Sequence, residues 1–444
     1  MAKSWKERGF FELYQDDPER ADALVFGRRS GASRRGFLQG SGLAAMGAMV
    51  GGAIPFNGNM PSGLIPAAMA QGSAAAPKIL KMDGKAELVI LGDKPFVAET
   101  PEHLLNDDIT PNDKIFIRNN GTPPDAVSGN PDSWEFTVDG EVNKALKLTL
   151  GELKQKFKPV TYALQMECGG NGRSFFEPKA SGNQWTNGAI SNARWTGVRL
   201  KDVLEAAGLK SSAVYTGHYG RDTHLSGDAG KPAISRGVPI AKAMEEHTIV
   251  AYAVNGGPIP HINGAPLRLI VPGWPGSTSQ KWLSRIWVRD KEHDGQGMTG
   301  TSYRVPIKPM IPGSKADPNN FRILESMPVR SIITNIANGT ELKAGTRAIA
   351  LRGHAWAGEH SVSEVHVSAD YGQTWRKAKV AKPANKYAWQ TWNADLTVPS
   401  EGYYEFWVRA VDSTGRGQSH VAANWNPQGY GGNVMHRVAV LIPA

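Results

Sequence analysis

Cys168 is the only cysteine in 444 residues, and a thiol without a second thiol forms no internal disulfide. It stands in the run Gln165-Met166-Glu167-Cys168-Gly169-Gly170-Asn171-Gly172-Arg173. There an apolar stretch from Val160 gives way to closely spaced glycines and an arginine. Glycine lets backbone N–H groups close on a ligand and arginine adds permanent positive charge, so the run has the makeup of an anion or cofactor site. A lone cysteine is otherwise a small buried hydrophobe. If it is reactive, two chemistries are open to it. One is a nucleophile with His218, His224 or His261 as base. The other is a soft thiolate ligand to a metal whose remaining ligands come from a cofactor.

Other signatures fail on their context. Gly295-Gln296-Gly297-Met298-Thr299-Gly300 fits GxGxxG, but Ser302-Tyr303-Arg304-Val305-Pro306 follows it where a dinucleotide site needs a helix. The sequence contains no GxxxxGK[ST], no GxSxG and no HExxH, which removes P-loop, nucleophile-elbow and zincin chemistry. One cysteine also excludes CxxCH haem attachment and iron–sulfur clusters in this chain. The formal charge of +9 suits acidic substrates or an acidic partner protein. It is dispersed rather than gathered in a stripe, so nucleic acid is not an expected partner.

These residues need a scaffold, and the N-terminus is not part of it. Ser33-Arg34-Arg35-Gly36-Phe37-Leu38 precedes a glycine-rich, weakly apolar run from Gly40 to Pro55, and Ala68-Met69-Ala70 supplies small residues for cleavage. Residues 1–70 read as a twin-arginine export signal, which implies a periplasmic protein exported already folded around a bulky cofactor. The apolar run is too short and too mild to span a bilayer, so no membrane span is expected.

Residues 71–317 read as an α+β domain in which strands alternate with short helices. Lys114 to Ile117, Trp134 to Val138 and Pro159 to Glu167 are strand-like, so Cys168 lies where the chain leaves a sheet. Thr149-Leu150-Gly151-Glu152 has capping-box spacing and opens a helix to Phe157. Val198 to Ala207 reads as a second helix, stopped by Gly208. Thr248 to Val254, Leu267 to Val271 and Trp282 to Val288 read as further strands. Val305 to Pro318 carries four prolines and reads as a linker. Beyond it, residues 318–444 show short strands at Ala348 to Gly353, Glu364 to Ser368, Thr374 to Val380, Tyr403 to Val411 and Val434 to Ile442. Almost no helix signal accompanies them, which is the pattern of an immunoglobulin-like β-sandwich.

Three runs in this order resemble the sulfite oxidase family of molybdenum enzymes: Met166 to Arg173, Gly188-Ala189-Ile190-Ser191-Asn192-Ala193-Arg194-Trp195-Thr196-Gly197, and Ser279-Gln280-Lys281-Trp282-Leu283. The resemblance extends to the last segment, which looks like that family's immunoglobulin-like dimerisation domain. It implies one molybdenum–molybdopterin per chain, with Cys168 as the protein's ligand to the metal. It implies that Arg118 and Arg173 hold an oxyanion, that Trp185 walls the pocket, and that Tyr303 stands near the metal. Arg268 and Lys281 match positions that bind the pterin and its phosphate. Asn120 and Asn263 stand where many members have cofactor-contacting histidines, and Gln428 stands where sulfite oxidases have an arginine. Each residue also has a plain structural role open to it: surface ion pairs for the two arginines, core for Trp185, a strand position for Tyr303 and solvent for Lys281.

Gly169 to Phe176 and Gly182 to Gly188 read closest to the sulfane dehydrogenase branch, which serves periplasmic thiosulfate oxidation. That likeness implies a sulfur-carrier protein as substrate partner, with free sulfite as the other candidate substrate. No haem motif is present, so electrons need a separate cytochrome c subunit or acceptor. The dimerisation domain implies a homodimer, set within a heterotetramer with two cytochrome subunits.

Overall fold

The computed structural model describes Asp17, Arg20, Ala21 and residues 77–444. The twin-arginine run and the cleavage motif lie outside the described residues. Among the described residues no helix is long and apolar enough to cross a membrane.

A small antiparallel sheet opens the described chain: β1 (Val89–Asp93), β2 (Phe96–Glu99) and β3 (Ile117–Arg118). Two five-stranded sheets follow. One holds β4 (Glu135–Gly140), β5 (Leu146–Thr149), β8 (Tyr215–Gly220), β9 (Gly237–Pro239) and β13 (Leu283–Arg289), ordered β5-β4-β13-β8-β9. The other holds β6 (Pro159–Glu167), β7 (Ile190–Arg199), β10 (Ile249–Val254), β11 (Gly257–Pro258) and β12 (Arg268–Ile270), with β6, β7 and β10 side by side. Between them lies an apolar core that includes Phe136, Leu148, Val198, Val250, Leu269 and Ile286, sealed by α1 (Leu150–Lys156) and α2 (Leu200–Ala207).

The capping box forms as its spacing requires: the Glu152 N–H donates to Thr149 Oγ1 at 3.1 Å and the Thr149 N–H to Glu152 Oε2 at 2.9 Å. Elsewhere tertiary pairing overrides local pattern. Val198 is strand, because β7 runs antiparallel to β6 through the Pro159↔Val198 pair, and the helix begins only at Leu200. Lys114 closes a short 3-10 turn, leaving Ile117–Arg118 as the strand. Pro306 and Phe321 face each other across β14 (Arg304–Pro306) and β15 (Phe321–Ile323), so the proline-rich segment is a loop between paired strands.

From β16 onward two sheets face one another. The first runs β16 (Arg330–Ile333), β18 (Ala348–Trp356), β22 (Gln390–Thr397), β21 (Lys379–Val380). The second runs β17 (Thr340–Glu341), β24 (His436–Ile442), β23 (Gly402–Asp412), β19 (Val362–Ser368), β20 (Arg376–Lys377). Ile333, Leu351 and Trp392 from the first pack with Val365, Phe406 and Val438 from the second in one core. The segment from Thr374 to Val380 reads as one strand but is two, one in each sheet, because the chain changes sheets between Lys377 and Lys379.

Several buried histidines make the fold acid-sensitive. Burial pulls His218 down to about 3, helped by the nearby positive charge of His293 and Arg236, and pulls His293 down to about 4. His354, stacked on Trp389 at 3.9 Å, falls to about 3 for the same reason. The unfolded chain therefore binds more protons below the ordinary histidine value, so stability is complete above about pH 6.5 and is lost as pH falls toward 4. Each such histidine is expected to cost about 2 kcal/mol between pH 7 and pH 5. Melting temperatures at those two pH values, in wild type and in His354→Gln, check this: the variant should lose less on acidification.

Candidate active site

Cys168 follows β6 directly, and its N–H donates to the Ala189 carbonyl at 2.9 Å, which ties it to the start of β7. Alternation along the strand sends Leu164, Met166 and Cys168 to one face, where they pack with Phe116, Trp185 and Trp195. The turn after Cys168 depends on Gly172, whose φ of +85° is left-handed and at which an added Cβ would meet Arg330 Nη1 at 2.5 Å.

The thiol borders an open-mouthed cavity that encloses about 610 Å³ of empty space, its mouth included. Seven of the nine site residues expected from the sequence line it: Arg118, Asn120, Cys168, Asn263, Arg268, Lys281 and Tyr303. They arrive from far-separated segments: the end of β3, the end of β6, the 3-10 turn at His261–Asn263, β12, and the approach to β13. Neither His218, His224 nor His261 lines it. His218 is bonded to Thr216 and Thr278, His224 to Ser226, and His261 to the Pro124 carbonyl. A cysteine–histidine nucleophile is therefore not what this geometry assembles.

Trp185 and Arg173 lie outside the lining. Trp185 is fully buried one layer behind, edge-on to Phe116 with ring centroids 6.1 Å apart. Arg173 is buried and spent on main chain: its Nε donates to the Gln428 carbonyl at 2.7 Å and its Nη1 to the Asn183 carbonyl at 2.9 Å, while its guanidinium lies over the Tyr430 ring. The Gln428 side chain turns instead to Thr301 Oγ1 at 3.5 Å.

One end of the cavity is crowded with cations. Lys281 Nζ donates to the Ile262 carbonyl at 2.8 Å and to Asn119 Oδ1, and lies 4.7 Å from the Trp282 ring centre. Its side chain is half-buried, but the ammonium end is desolvated. That burial pushes it well below the ordinary lysine value, and Arg268, Arg118 and Lys85 push the same way against the pull of Asp222. Burial also takes Arg268 down to about 9 and Lys85 down to about 8. Arg268 donates to the Asn263 carbonyl at 2.7 Å and to Met166 Sδ. The Asn263 amide is itself occupied, accepting from Lys85 Nζ at 2.9 Å and donating to the Phe116 carbonyl at 3.2 Å. Asp222, raised to about 6 by its own burial, is the acid on the cavity wall.

At the other end Tyr303 donates from its hydroxyl to Asn120 Oδ1 at 3.3 Å. Its ring stacks on Tyr430 at 4.8 Å, and the Arg236 guanidinium sits 4.6 Å from its centre. Tyr303 and Trp282 both have positive φ, +49° and +48°. Bulky residues rarely adopt that region, and such strain gathers where a site needs a side chain aimed.

Sequence reasoning missed Lys85, Asp222, Gln280, Trp282 and Ser277. Gln280 and Trp282 stand inside the motif around Lys281, which was the available signal; Lys85 and Asp222 carry none.

Comparison with known proteins agrees with this geometry. The chain matches the oxidoreductase molybdopterin binding domain over residues 120–297 and the Mo-co oxidoreductase dimerisation domain over residues 322–442. That defines a molybdopterin oxidoreductase fold, and its cofactor is molybdenum–molybdopterin. Rat mitochondrial sulfite oxidase is 33% identical over 80% of this chain and 66% of its own length. Chicken (Gallus gallus) sulfite oxidase is 33% identical over 79% of this chain and 77% of its own. Barley (Hordeum vulgare) nitrate reductase is 28% identical over 79% of this chain and 41% of its own. The crystal structure of the sulfane dehydrogenase SoxCD from Paracoccus pantotrophus has the same fold, with a TM-score of 0.65 at 24% identity, over 87% of this chain and 94% of that one. The chain belongs to the sulfite oxidase family.

The residues present fit such a cofactor. Buried polar atoms at the cationic end have no partner within the protein: Arg268 Nε, Asn119 Nδ2, Gln280 Oε1 and Ser277 Oγ. Buried polar groups are ordinarily hydrogen-bonded; the unpaired donors Arg268 Nε, Asn119 Nδ2 and Ser277 Oγ beside clustered cations suit a bound anion such as a phosphate-bearing pterin, and Gln280 Oε1, an acceptor, suits an N–H of the same ligand. Among the described residues no group of three or more His, Cys, Asp or Glu surrounds a point, so a metal held at Cys168 would need its other ligands from the cofactor.

Proposed function

We propose that this chain is the molybdenum-bearing subunit of a periplasmic sulfane dehydrogenase, oxidising a sulfane sulfur held on a carrier protein's cysteine during thiosulfate oxidation. When bound at Cys168, molybdenum–molybdopterin supplies the two-electron oxidation of sulfur. Lys281 and Arg268 would hold the cofactor's anionic end, and Tyr303, whose hydroxyl donates to Asn120 Oδ1, would wall the cavity where substrate enters. Phe116, Ile234 and Trp282 narrow the cavity against water.

The observation that carries this reading is which guanidinium groups reach the cavity: Arg118 and Arg268 line it and Arg173 does not. Arg118 lies on the cavity wall, whereas Arg173 is tied to two carbonyls and Gln428 stands where an arginine would complete a cationic cage. Free sulfite, a compact dianion, needs such a cage; a protein-bound sulfane sulfur does not. The fold likeness to the sulfane dehydrogenase supports the same choice. A second reading, a periplasmic sulfite dehydrogenase, is favoured by the 33% identity to sulfite oxidases.

The remaining parts follow from the same proposal. Electrons leave to a cytochrome c, since this chain has no haem motif. The C-terminal sandwich, immunoglobulin-like in kind, joins two copies into a homodimer within a heterotetramer, and the Arg34–Arg35 signal exports the folded, loaded protein.

A pair of assays separates the two readings. Purified holoenzyme is expected to reduce cytochrome c with thiosulfate plus the carrier proteins and to show little reduction with sulfite alone. Steady sulfite-driven reduction without carrier would transfer the assignment to the second reading.

A further inference from the structure

Glu167 and Cys168 are neighbours whose side chains leave β6 on opposite sides. The thiol meets the cavity, while the carboxylate enters the C-terminal sandwich. There Glu167, 2% exposed, accepts from Trp356 Nε1 at Oε2 and from Asn171 Nδ2 at Oε1, both at 2.8 Å, with Arg330 Nε 3.6 Å away. Arg330 and Trp356 are direct partners in the β16–β18 ladder, so they present their side chains as a unit.

Arg330 reaches further than Glu167. Its Nη1 donates to the Asn171 carbonyl at 2.9 Å and to the Gly432 carbonyl, and its Nη2 to Asn187 Oδ1 at 2.6 Å. Asn171 returns the hold to the thiol: its N–H donates to the Cys168 carbonyl at 2.9 Å, and its Oδ1 accepts from the Ala189 N–H at 3.2 Å. The residue before Cys168, the turn after it and the strand opposite it are thus gripped by one buried pair from another part of the chain. None of Glu167, Arg330 and Trp356 lines the cavity.

We propose that Arg330 and Trp356 are positioning residues for Cys168, acting through Glu167 and Asn171 to fix the thiol-bearing turn, so that the sandwich is part of the metal centre's scaffold. This rests on Cys168 being the metal ligand and is independent of which sulfur compound is oxidised. The physical cause is the cost of an unpaired buried carboxylate. If Trp356 stops donating or the facing Arg330 charge is removed, Glu167 loses that partner and moves toward water, and the adjacent Cys168 moves with it.

The test uses full-length holoenzyme carrying Trp356→Phe, Arg330→Met or Arg330→Lys. Lys242→Met serves as control, because Lys242 and Glu359, 2.6 Å apart, form a second, partly buried ion pair that makes no bond to Glu167 or Asn171. The readouts are molybdenum content, the visible thiolate-to-metal absorption band, and kcat and KM separately. Trp356→Phe and Arg330→Met are expected to shift the band and lower kcat about 10–100-fold with little change in KM, as loss of an outer partner of a metal ligand does. Arg330→Lys should restore part of both, and Lys242→Met should lower the melting temperature while leaving the band in place. An unshifted band in Trp356→Phe, which keeps an aromatic ring but removes the Nε1 donor, overturns the proposal even if Arg330→Met fails to fold. An equal shift in Lys242→Met overturns it too. Failure of the ligand assignment is separate: Cys168→Ser would then keep the band.

Discussion

Cys168→Ser is expected to abolish sulfur oxidation while leaving the protein folded. Loss of an outer partner of a metal ligand costs about 10–100-fold in activity, and loss of the one protein ligand should exceed that. Serine is close to cysteine in size, so packing against Phe116 and Met166 survives. The hydroxyl enters a site where the thiol was only 6% exposed, which costs about 1–3 kcal/mol if it finds no partner. Turnover, molybdenum content and melting temperature measured on the same preparation check this. Retained turnover would remove Cys168 from the metal centre, and loss of folding would show that its packing role dominates.

Lys281→Met has an expected effect of opposite sign in the loaded and empty protein. In the empty protein the ammonium is desolvated beside Arg268, Arg118 and Lys85, with Asp222 as its acidic counterweight. A lysine held below its ordinary value destabilises the fold wherever it must be protonated, so methionine should raise the melting temperature of cofactor-free protein. In the loaded protein the same ammonium would, on the proposed reading, face the cofactor's negative end. A hydrogen bond between charged groups contributes about 1.5–3 kcal/mol, so the variant should retain cofactor about 10–100-fold less tightly. Molybdenum remaining after dialysis, set against the two melting temperatures, tests both halves. A cofactor-free variant less stable than wild type would show that Lys281 is satisfied by Ile262 and Asn119 alone.

The legible parts of the site were those written as local runs. Cys168 announced itself by solitude and by the glycines after it, and the Ser279 to Leu283 run delivered Lys281 together with Gln280 and Trp282. Asp222 stands in an unremarkable stretch and acquires its place only because β3, β12 and the approach to β13 converge on one cavity, and Lys85 joins the site only through its bond to Asn263. The fold shows the same division. The capping box at Thr149 is a four-residue device and formed as read, whereas Val198 lies in an amphipathic pattern that pairing with Pro159 turned into strand.

What the sequence determined by itself was chemistry that follows from residue type and count: one thiol, no CxxCH haem-attachment motif, no internal disulfide, a glycine turn next to an arginine, and three ordered runs belonging to one family. What only the tertiary structure decided was direction. Arg118 and Arg173 look equivalent as letters, yet one borders the cavity and the other is bound to the Asn183 and Gln428 carbonyls. Cys168 and its neighbour Glu167 part to opposite faces, one toward the cavity and the other into the sandwich. The reason is physical: residue type fixes what a group can donate, accept or ligate, but burial and tertiary pairing fix which partners remain to it, and partners such as Gln428 and Trp356 come from positions more than a hundred residues away.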